Sequence, residues 1–322
     1  MILILSREIE ESLTCRVIDY LENYSANYIR INGEDLFNEK VIFDYALNRE
    51  TALWELEITI NNRKIISKDI NCIWFRRSFF QLSSLSEHPV INDFLKNELN
   101  ILYSNFQHAL SHAFWINKPS DLSINKLNML KKACENGLTV PKSYITNHQT
   151  TLNRINDEII TKPISESFSI VENNVRKTAF TAQVDRNIVK AENYTDFFFP
   201  SFFQQKIEKQ YEIRSFYLCG DIFSIAIFSQ NDTRTALDFR NYNEKKPNRN
   251  SKYQLPKKVE ESIRKFMIDI DINCGSIDLV KAKDGNYYFL ELNPVGQAGV
   301  VSRFGHYNLE KKIALKLIEN DK

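Results

Sequence analysis

The N-terminal part of the chain alternates short apolar runs with amphipathic stretches, a pattern that predicts an α/β arrangement. Residues 2–5 are all aliphatic and indicate a buried first strand. Apolar residues recur at every fourth position from Ile9 to Leu21, which predicts an amphipathic helix with Ser6 as its N-cap. The same reasoning predicts strands at residues 28–31, 54–60 and 73–75, an Asn61-Asn62 hairpin turn, and a helix from residue 90 to about residue 114.

A polar break at residues 117–120 ends this domain, and shorter elements follow. The next helix is expected to bury Ile124, Leu127, Leu130 and Cys134, with Gly137 as a left-handed C-cap. Segments 138–145, 159–163 and 175–184 indicate a small antiparallel layer, and residues 211–228 a hairpin turning at Gly220-Asp221. Residues 241–254 predict a mobile surface loop, and helices are expected at 256–269 and 309–318.

These elements divide the chain into three predicted domains, residues 1–118, 119–200 and 201–322, of mixed α/β (α+β) class. Lysine and arginine number 42 against 41 acids, so no global charge attracts nucleic acid or an anionic membrane. The five cysteines lack the spacing of a disulfide framework or a zinc site. The apolar N-terminus is too short for a signal segment or a membrane span, and we expect a cytoplasmic protein.

The strongest chemical signal lies in a predicted hairpin near the C-terminus, where Asp284-Gly285 forms a favourable two-residue turn. Counting outward from that turn pairs Ile277 with Leu292, Leu279 with Leu290, and Asp278 with Glu291. The first two pairs are aliphatic and indicate a core face. The third places two carboxylates directly opposite each other on the other face.

Opposed carboxylates repel across a sheet, so the arrangement of Asp278 and Glu291 is explained if a cation lies between them or if one carboxyl keeps its proton. Asn293 lies two residues beyond Glu291 and therefore on the same face. Two carboxylates and an amide oxygen suit magnesium. A slipped register, or neutralisation of the pair by Lys281 or an arginine, is the alternative, and both interpretations stay open at this point.

These residues resemble the C-terminal signature of the ATP-grasp superfamily, an acid on one strand followed by Glu-x-Asn-Pro on the next. Asp278 and the run Glu291 to Pro294 match it. The resemblance implies a Rossmann-like pre-ATP-grasp domain followed by central and C-terminal α+β domains that clamp ATP. It also implies that Asp278, Glu291 and Asn293 hold the Mg²⁺ ions that bridge the ATP phosphates.

Further positions resemble the nucleotide site of the same superfamily. By this resemblance the lysines Lys126 and Lys162 approach the phosphates, the backbone of Gln205, Lys206 and Ile207 holds adenine, Glu212 meets the ribose, and Arg214 reaches the phosphates. An ion pair on the solvent face is the alternative for Glu212 and Arg214. The loop at residues 164–169 departs from many ATP-grasp proteins because it contains no glycine.

More narrowly, the chain resembles the graspetide synthetases, particularly the maturases of grasp-with-spasm systems, which are similar in fold to ribosomal-protein glutamate ligases. The motifs are Trp74 to Arg77, Tyr211 to Arg214, Leu237 to Arg240 and Glu291 to Gln297. The resemblance implies that ATP phosphorylates an Asp or Glu side chain of a ribosomal precursor peptide. A Ser, Thr or Lys side chain of that peptide then forms the ester or amide. We expect Arg214 and Arg240 to act in catalysis, although Asp238 and Arg240 also suit a simple ion pair.

The same resemblance implies a precursor partner with leader and core segments and a possible homodimer. We place leader docking at residues 169–184 by position. Arg76 and Arg77 are weaker candidates for docking an acidic peptide, and His306 for activating the acceptor. His108 and His112 have a zinc-like spacing but no third ligand. The rival functions are ligation of an amino acid to a carboxylate, phosphorylation of a small molecule, and ATP sensing without turnover.

Overall fold

The computed structural model describes residues 1–9, 12–76, 86–165, 169–172, 175–178, 181–185, 196–232, 235, 237–238, 245 and 247–322. Two compact units share the chain. The first comprises Met1–Ile124, Ile272–Gly275 and Pro294–Lys322, and the second Asn125–Asp271 and Ser276–Asn293. The three-domain division therefore stays a prediction, because these units follow the packing rather than the order of the chain.

The first unit is built on a four-stranded parallel sheet of order β2-β1-β6-β7 and a three-stranded antiparallel sheet of order β3-β4-β5. Its strands are β1 Ile2–Ser6, β2 Tyr28–Asn32, β3 Val41–Asn48, β4 Leu53–Ile60, β5 Arg63–Ile66, β6 Cys72–Phe75 and β7 Phe114–Ile116. Helices α1 Ser12–Asn23 and α2 Pro89–Ala109 follow β1 and β6. Strand β1 is buried along its whole length, as its continuous aliphatic run predicts for a parallel sheet.

Several predictions for this unit are confirmed and two are wrong. The strands near residues 28 and 73 are present, and Asn61 and Asn62 form the predicted turn with φ of 50° and 62°. Ser6 does not cap helix α1, because its hydroxyl donates to the Asn32 side chain on the neighbouring strand at 2.8 Å. Helix α2 ends at Ala109, and Phe114 begins a strand instead.

The second unit contains two larger sheets and one separate pair of strands. Its strands are β8 Ser143–His148, β9 Ile159–Thr161, β10 Ser169–Glu172, β11 Val175–Thr178, β12 Ala182–Gln183, β13 Phe197–Gln205, β14 Lys209–Leu218, β15 Asp221–Phe228, β16 Arg249–Tyr253, β17 Cys274–Ala282 and β18 Tyr287–Asn293. They form a sheet of order β12-β9-β13-β8, the hairpin β10-β11, and a five-stranded sheet of order β16-β15-β14-β17-β18. Helices α3 Lys126–Glu135, α4 Gln149–Arg154 and α5 Lys257–Asp269 accompany them.

Helix α5 and the two larger sheets are present as the sequence predicts for the second unit, but some local details differ. Gly137 has the predicted left-handed conformation at φ 82°, but α3 buries Met129, Leu130 and Ala133 while Cys134 is exposed, because the helix packs on β18 and α5. The hairpin β14-β15 turns at Cys219-Gly220, one residue early. Residues 249–253 form the edge strand β16 rather than a loop, and residues 241–244 lie outside the described part.

Two helices close the chain and belong to the first unit: α6 Ala298–Gly305 and α7 Leu309–Glu319. Helix α7 packs on α1 and on β6 and buries Leu309, Ile313, Ala314 and Leu317. None of the helices described has the length and apolar character needed to cross a membrane.

Candidate functional site

The hairpin β17-β18 places Asp278 opposite Glu291 and Ile277 opposite Leu292, as the sequence predicts. Leu279, however, faces Phe289 rather than Leu290, because the register shifts by one residue after Asp278. Gly285 has φ of 89° in a loop longer than the expected two residues. The irregularity at Leu290 compensates for the longer turn, and the carboxylate pair keeps its predicted register.

Arg214 of β14 holds Asp278 in a bidentate ion pair. Its Nε and Nη2 atoms donate to the two carboxylate oxygens of Asp278, each at 2.8 Å. The side chains are 11% and 9% exposed, so the pair is almost wholly removed from water. Planar guanidinium groups favour this geometry with a carboxylate. An arginine therefore does neutralise one acid of the pair, as the alternative interpretation required.

The ion pair leaves oxygen donors for a cation on the same face. An ionised carboxylate offers about four lone-pair positions, and Arg214 uses two of those on Asp278. Asn293 donates to Glu291 at 3.4 Å, which places its amide beside that carboxylate. No cluster of three or more His, Cys, Asp or Glu side chains able to hold a metal occurs among the described residues. A magnesium site here would combine Asp278 and Glu291 with the amide oxygen of Asn293, and this donor chemistry fits the ion.

Glu212 lies two residues before Arg214 and therefore on the same face of β14. Its carboxylate accepts a hydrogen bond from Lys209 at 2.5 Å. Burial raises the pKa of the Glu212 carboxyl above its ordinary value, and the Lys209 ammonium acts in the opposite direction. The second oxygen, Oε2, is buried and has no hydrogen-bond partner within the described ranges. A buried, unpaired acceptor of this kind fits a hydroxyl group of a bound sugar.

Residues 205–207, the segment predicted to hold adenine and called the hinge below, lie at the end of β13. Gln205 and Lys206 donate their N–H groups to the carbonyls of Lys142 and Glu158, each at 2.8 Å. The ladder ends there, and the Ile207 N–H has no recorded acceptor within the part of the chain that is described. The Lys206 ammonium pairs with the exposed Glu158 carboxylate. Lys206 would therefore contribute only its backbone to holding a base. A free donor at a strand end fits an edge of a heterocyclic base.

One cavity collects most of the predicted site residues. It is lined by Ile160, Lys162, Thr181, Gln204, Gln205, Lys206, Ile207, Lys209, Glu212, Ile213, Leu237, Asp238, Asp278, Leu279, Val280, Leu290 and Glu291. All belong to the second unit. The cavity thus joins the hinge, the predicted ribose acid and the opposed carboxylates, with Arg214 bonded to Asp278.

The two predicted phosphate lysines are placed differently. Lys162 lines the cavity, and its ammonium lies 5.7 Å from the centre of the Phe202 ring. Lys126 is not among the lining residues and donates to the Ser165 carbonyl at 2.9 Å. It therefore contacts the loop that follows Lys162 rather than the cavity itself. Both roles stay predictions.

Arg240, the second predicted catalytic residue, lies outside the described residues. Arg77 lies outside them as well. Arg76 is buried and donates to the Val295 carbonyl at 3.0 Å within the first unit. His306 is exposed at the end of α6 with φ of 53°. His108 and His112 are exposed and contact backbone carbonyls.

Sequence reasoning missed Lys209 and named Asp238 only as an ion-pair partner of Arg240, whereas both residues line the cavity. Lys209 stands three positions before Glu212, and residues at an odd spacing point to opposite faces of a regular strand. The contact exists because Lys209 is the first residue of β14, where the regular alternation begins. No spacing rule in the sequence would have indicated it.

Residues 1–123 match the family model of the MvdD pre-ATP grasp domain. A comparison with curated proteins gave no match. Among solved structures, the chain is similar to a RiPP-associated ATP-grasp ligase from Chryseobacterium gregarium, in complex with ADP and a leader and core peptide, with 23% identity and a TM-score of 0.82 over 99% of this chain and 95% of that one.

It is also similar to the macrocyclase MdnC from Microcystis aeruginosa MRC, bound with the precursor peptide MdnA, with 22% identity, a TM-score of 0.79 and 99% of each chain covered. The ATP-grasp ligase PsnB, complexed with a precursor variant, Mg and ADP, has 16% identity and a TM-score of 0.72 over 100% of this chain and 98% of that one. The predicted fold is confirmed: the chain has the ATP-grasp fold, and its residues 1–123 match the MvdD pre-ATP grasp domain family.

Proposed function

We propose that this chain is an ATP-dependent peptide macrocyclase that joins Asp or Glu side chains of a ribosomal precursor peptide to Ser, Thr or Lys side chains. One observation carries the proposal: a single cavity contains the hinge, the buried Glu212 and the Asp278–Glu291 pair. The similar structures support it, because their proteins are described as macrocyclases or ATP-grasp ligases bound to precursor peptides.

The chemistry requires activation of a carboxylate, which is a poor acyl donor. Phosphorylation by ATP gives an acyl phosphate, and a hydroxyl or amine of the same peptide then displaces phosphate to form an ester or amide. The protein contributes positioning and charge neutralisation in such a transfer. In this chain the backbone from Gln205 to Ile207 would hold the base, and Glu212 would accept from the sugar hydroxyls.

Cationic side chains would meet the phosphates in the same cavity. Lys162 is a point charge at its wall, and Arg214 is fixed by Asp278. Arg240 is proposed for the acyl phosphate or the incoming carboxylate. Asp278, Glu291 and Asn293 would hold magnesium, which supplies positive charge to the transferring phosphoryl group.

The precursor peptide is the proposed partner, with its leader segment at residues 169–184. In that stretch the structure describes the antiparallel strand pair β10-β11, and Ile170 on β10 is 49% exposed. An apolar side chain that a strand presents to solvent suits the docking of a peptide. The expected homodimer and the cytoplasmic location stay predictions.

The test is intact-mass spectrometry of a Ser/Thr- and Asp/Glu-rich precursor peptide encoded beside this chain. The peptide is incubated with the protein, ATP and magnesium, and with Glu291→Ala in parallel. Glu135→Ala is the matched control, because Glu135 is a 46% exposed carboxylate that pairs only at the surface of α3. We expect the loss of one or more waters per peptide with wild type and Glu135→Ala, and none with Glu291→Ala.

Three other results would contradict the proposal. A peptide that keeps its mass while ATP and an added amino acid are consumed would indicate an amino-acid ligase. A stable phosphorylated product without dehydration would indicate a kinase. If water loss persists in Glu291→Ala, the opposed carboxylates are not required for the reaction.

A further inference from the structure

The ammonium group of Lys209 joins two parts of the cavity wall. It donates to Glu212 Oε1 at 2.5 Å and to the Leu237 carbonyl at 2.9 Å. The side chains of Lys209 and Glu212 are 11% and 7% exposed. This contact is therefore an almost buried ion pair, in contrast to the exposed pair of Lys283 with Glu208.

The geometry fixes the orientation of the Glu212 carboxylate. Lys209 occupies Oε1, and Oε2 is buried without a hydrogen bond in the described ranges, although the Ser229 hydroxyl lies close enough to act on the same carboxyl. A buried acceptor that is left open in this way is costly unless a ligand satisfies it. Lys209 thus directs one oxygen to the protein and leaves the other for a donor within the cavity.

The second contact of Lys209 anchors a segment far along the chain. Leu237 and Asp238 both line the cavity, and Asp238 is 7% exposed. The Leu237 carbonyl and the Glu212 carboxylate share the same ammonium group. A lysine has three donors in a compact head, so it can bridge two acceptors from different segments.

We propose that Lys209 is a positioning residue for recognition of the nucleotide sugar. It holds Glu212 so that the carboxylate accepts from the vicinal hydroxyls of a ribose, and it ties the wall at Leu237 and Asp238 to that same carboxylate. The site therefore selects ribonucleotides over 2′-deoxyribonucleotides. The inference rests on the proposed nucleotide-binding function and adds a specificity device to it.

The test is calorimetric titration of the full chain with ADP and with 2′-deoxy-ADP, each with magnesium and without peptide. Wild type is expected to prefer ADP. Lys209→Met should weaken ADP binding by about tenfold, the effect of losing roughly one charge-assisted hydrogen bond. It should change 2′-deoxy-ADP binding much less, so the preference for the ribose collapses. Lys283→Met, which removes the exposed lysine pair, should leave both affinities unchanged.

Two further variants separate positioning from a general structural role. Lys209→Arg keeps a cation with several donors and should retain part of the ribose preference that Lys209→Met loses. If Lys209→Met fails to fold, Glu212→Gln serves as the loss variant. Glu212→Gln by itself should abolish the ribose preference. Adding Lys209→Met to it should cause no further loss of that preference, because the two residues act through one interaction.

The inference is overturned if Lys209→Met keeps the wild-type preference, or if it weakens both nucleotides equally. A wild-type protein that binds neither nucleotide would overturn both the inference and the proposed function. A protein that binds ADP with a Lys209-dependent ribose preference but forms no macrocycle would contradict the proposed function alone.

Discussion

Asp278 lies between a cation and an anion: Arg214 on β14 holds both of its oxygens at 2.8 Å, and Glu291 faces it across the hairpin β17-β18. The arrangement is asymmetric, because Asp278 is buried and Glu291 is only partly so. Removing the arginine would leave the buried Asp278 carboxylate without the group that holds both of its oxygens, whereas removing Glu291 would leave the ion pair intact. Stability and activity should therefore depend on different members of this group.

Replacing Arg214 with Met is expected to lower the free energy of unfolding by about 3–5 kcal/mol, because a buried carboxylate loses its partner. Arg214→Lys should lose less, since it keeps the charge but not the fork. Urea unfolding measures both. Lys131→Met is the control: Lys131 is 67% exposed and its partner Glu135 is 46% exposed, so its loss should cost far less than the loss of Arg214. Equal losses for Arg214→Met and Lys131→Met would contradict the buried pair.

The titration of Glu212 should make stability depend on pH. Burial raises its pKa in the folded chain above the unfolded value, so its contribution is complete below the unfolded pKa and is lost as pH rises through the folded pKa. Glu212→Gln does not titrate. We expect the stability of Glu212→Gln relative to wild type to increase as pH rises from about 4 towards neutrality, as measured by urea unfolding at several pH values. A constant difference between the two proteins across this range would show that the pKa is not raised.

Gly285→Ala tests the turn that sets the register of the carboxylates. At φ of 89° an L-residue is strained, although the space around the position is open. We expect the variant to lose about 1–2 kcal/mol. Gly299→Ala is the control, because Gly299 lies in α6 at ordinary φ with nothing within 4 Å, and alanine favours a helix. Thermal unfolding compares the two variants, and a neutral Gly285→Ala would contradict the turn conformation.

Local patterns predicted the elements better than they predicted the contacts between them. Alternation and an Asp-Gly turn placed Asp278 opposite Glu291, but the pairing is correct only because the longer turn and the irregularity at Leu290 offset each other. The irregularity at Leu290 has no sequence signal and was missed. Arg214 and Asp278 are 64 residues apart, so their pairing depends on the placement of β14 beside β17. That strand order is set by tertiary packing and cannot be counted from a turn.

The failed predictions have similar physical causes. Ser6 is a residue type that often caps a helix, but its hydroxyl donates to the Asn32 side chain on the neighbouring strand. The polar stretch that contains Arg249 to Tyr253 has the composition of a loop, yet it pairs along β15 as an edge strand. In both places a long-range partner outweighs the local preference of the residues.

Each unit is built from separate stretches of the chain, so a single cut in the chain cannot separate the two units. The first unit begins at Met1 but is completed by Pro294–Lys322, whose helix α7 packs on α1 and β6. A fragment that stops at Ile124 would expose the surface that Leu309, Ile313 and Leu317 cover. The first unit therefore cannot be transferred to another protein as one continuous N-terminal segment. Exchanging it between chains of this fold would require transferring its N-terminal and C-terminal segments together with Ile272–Gly275.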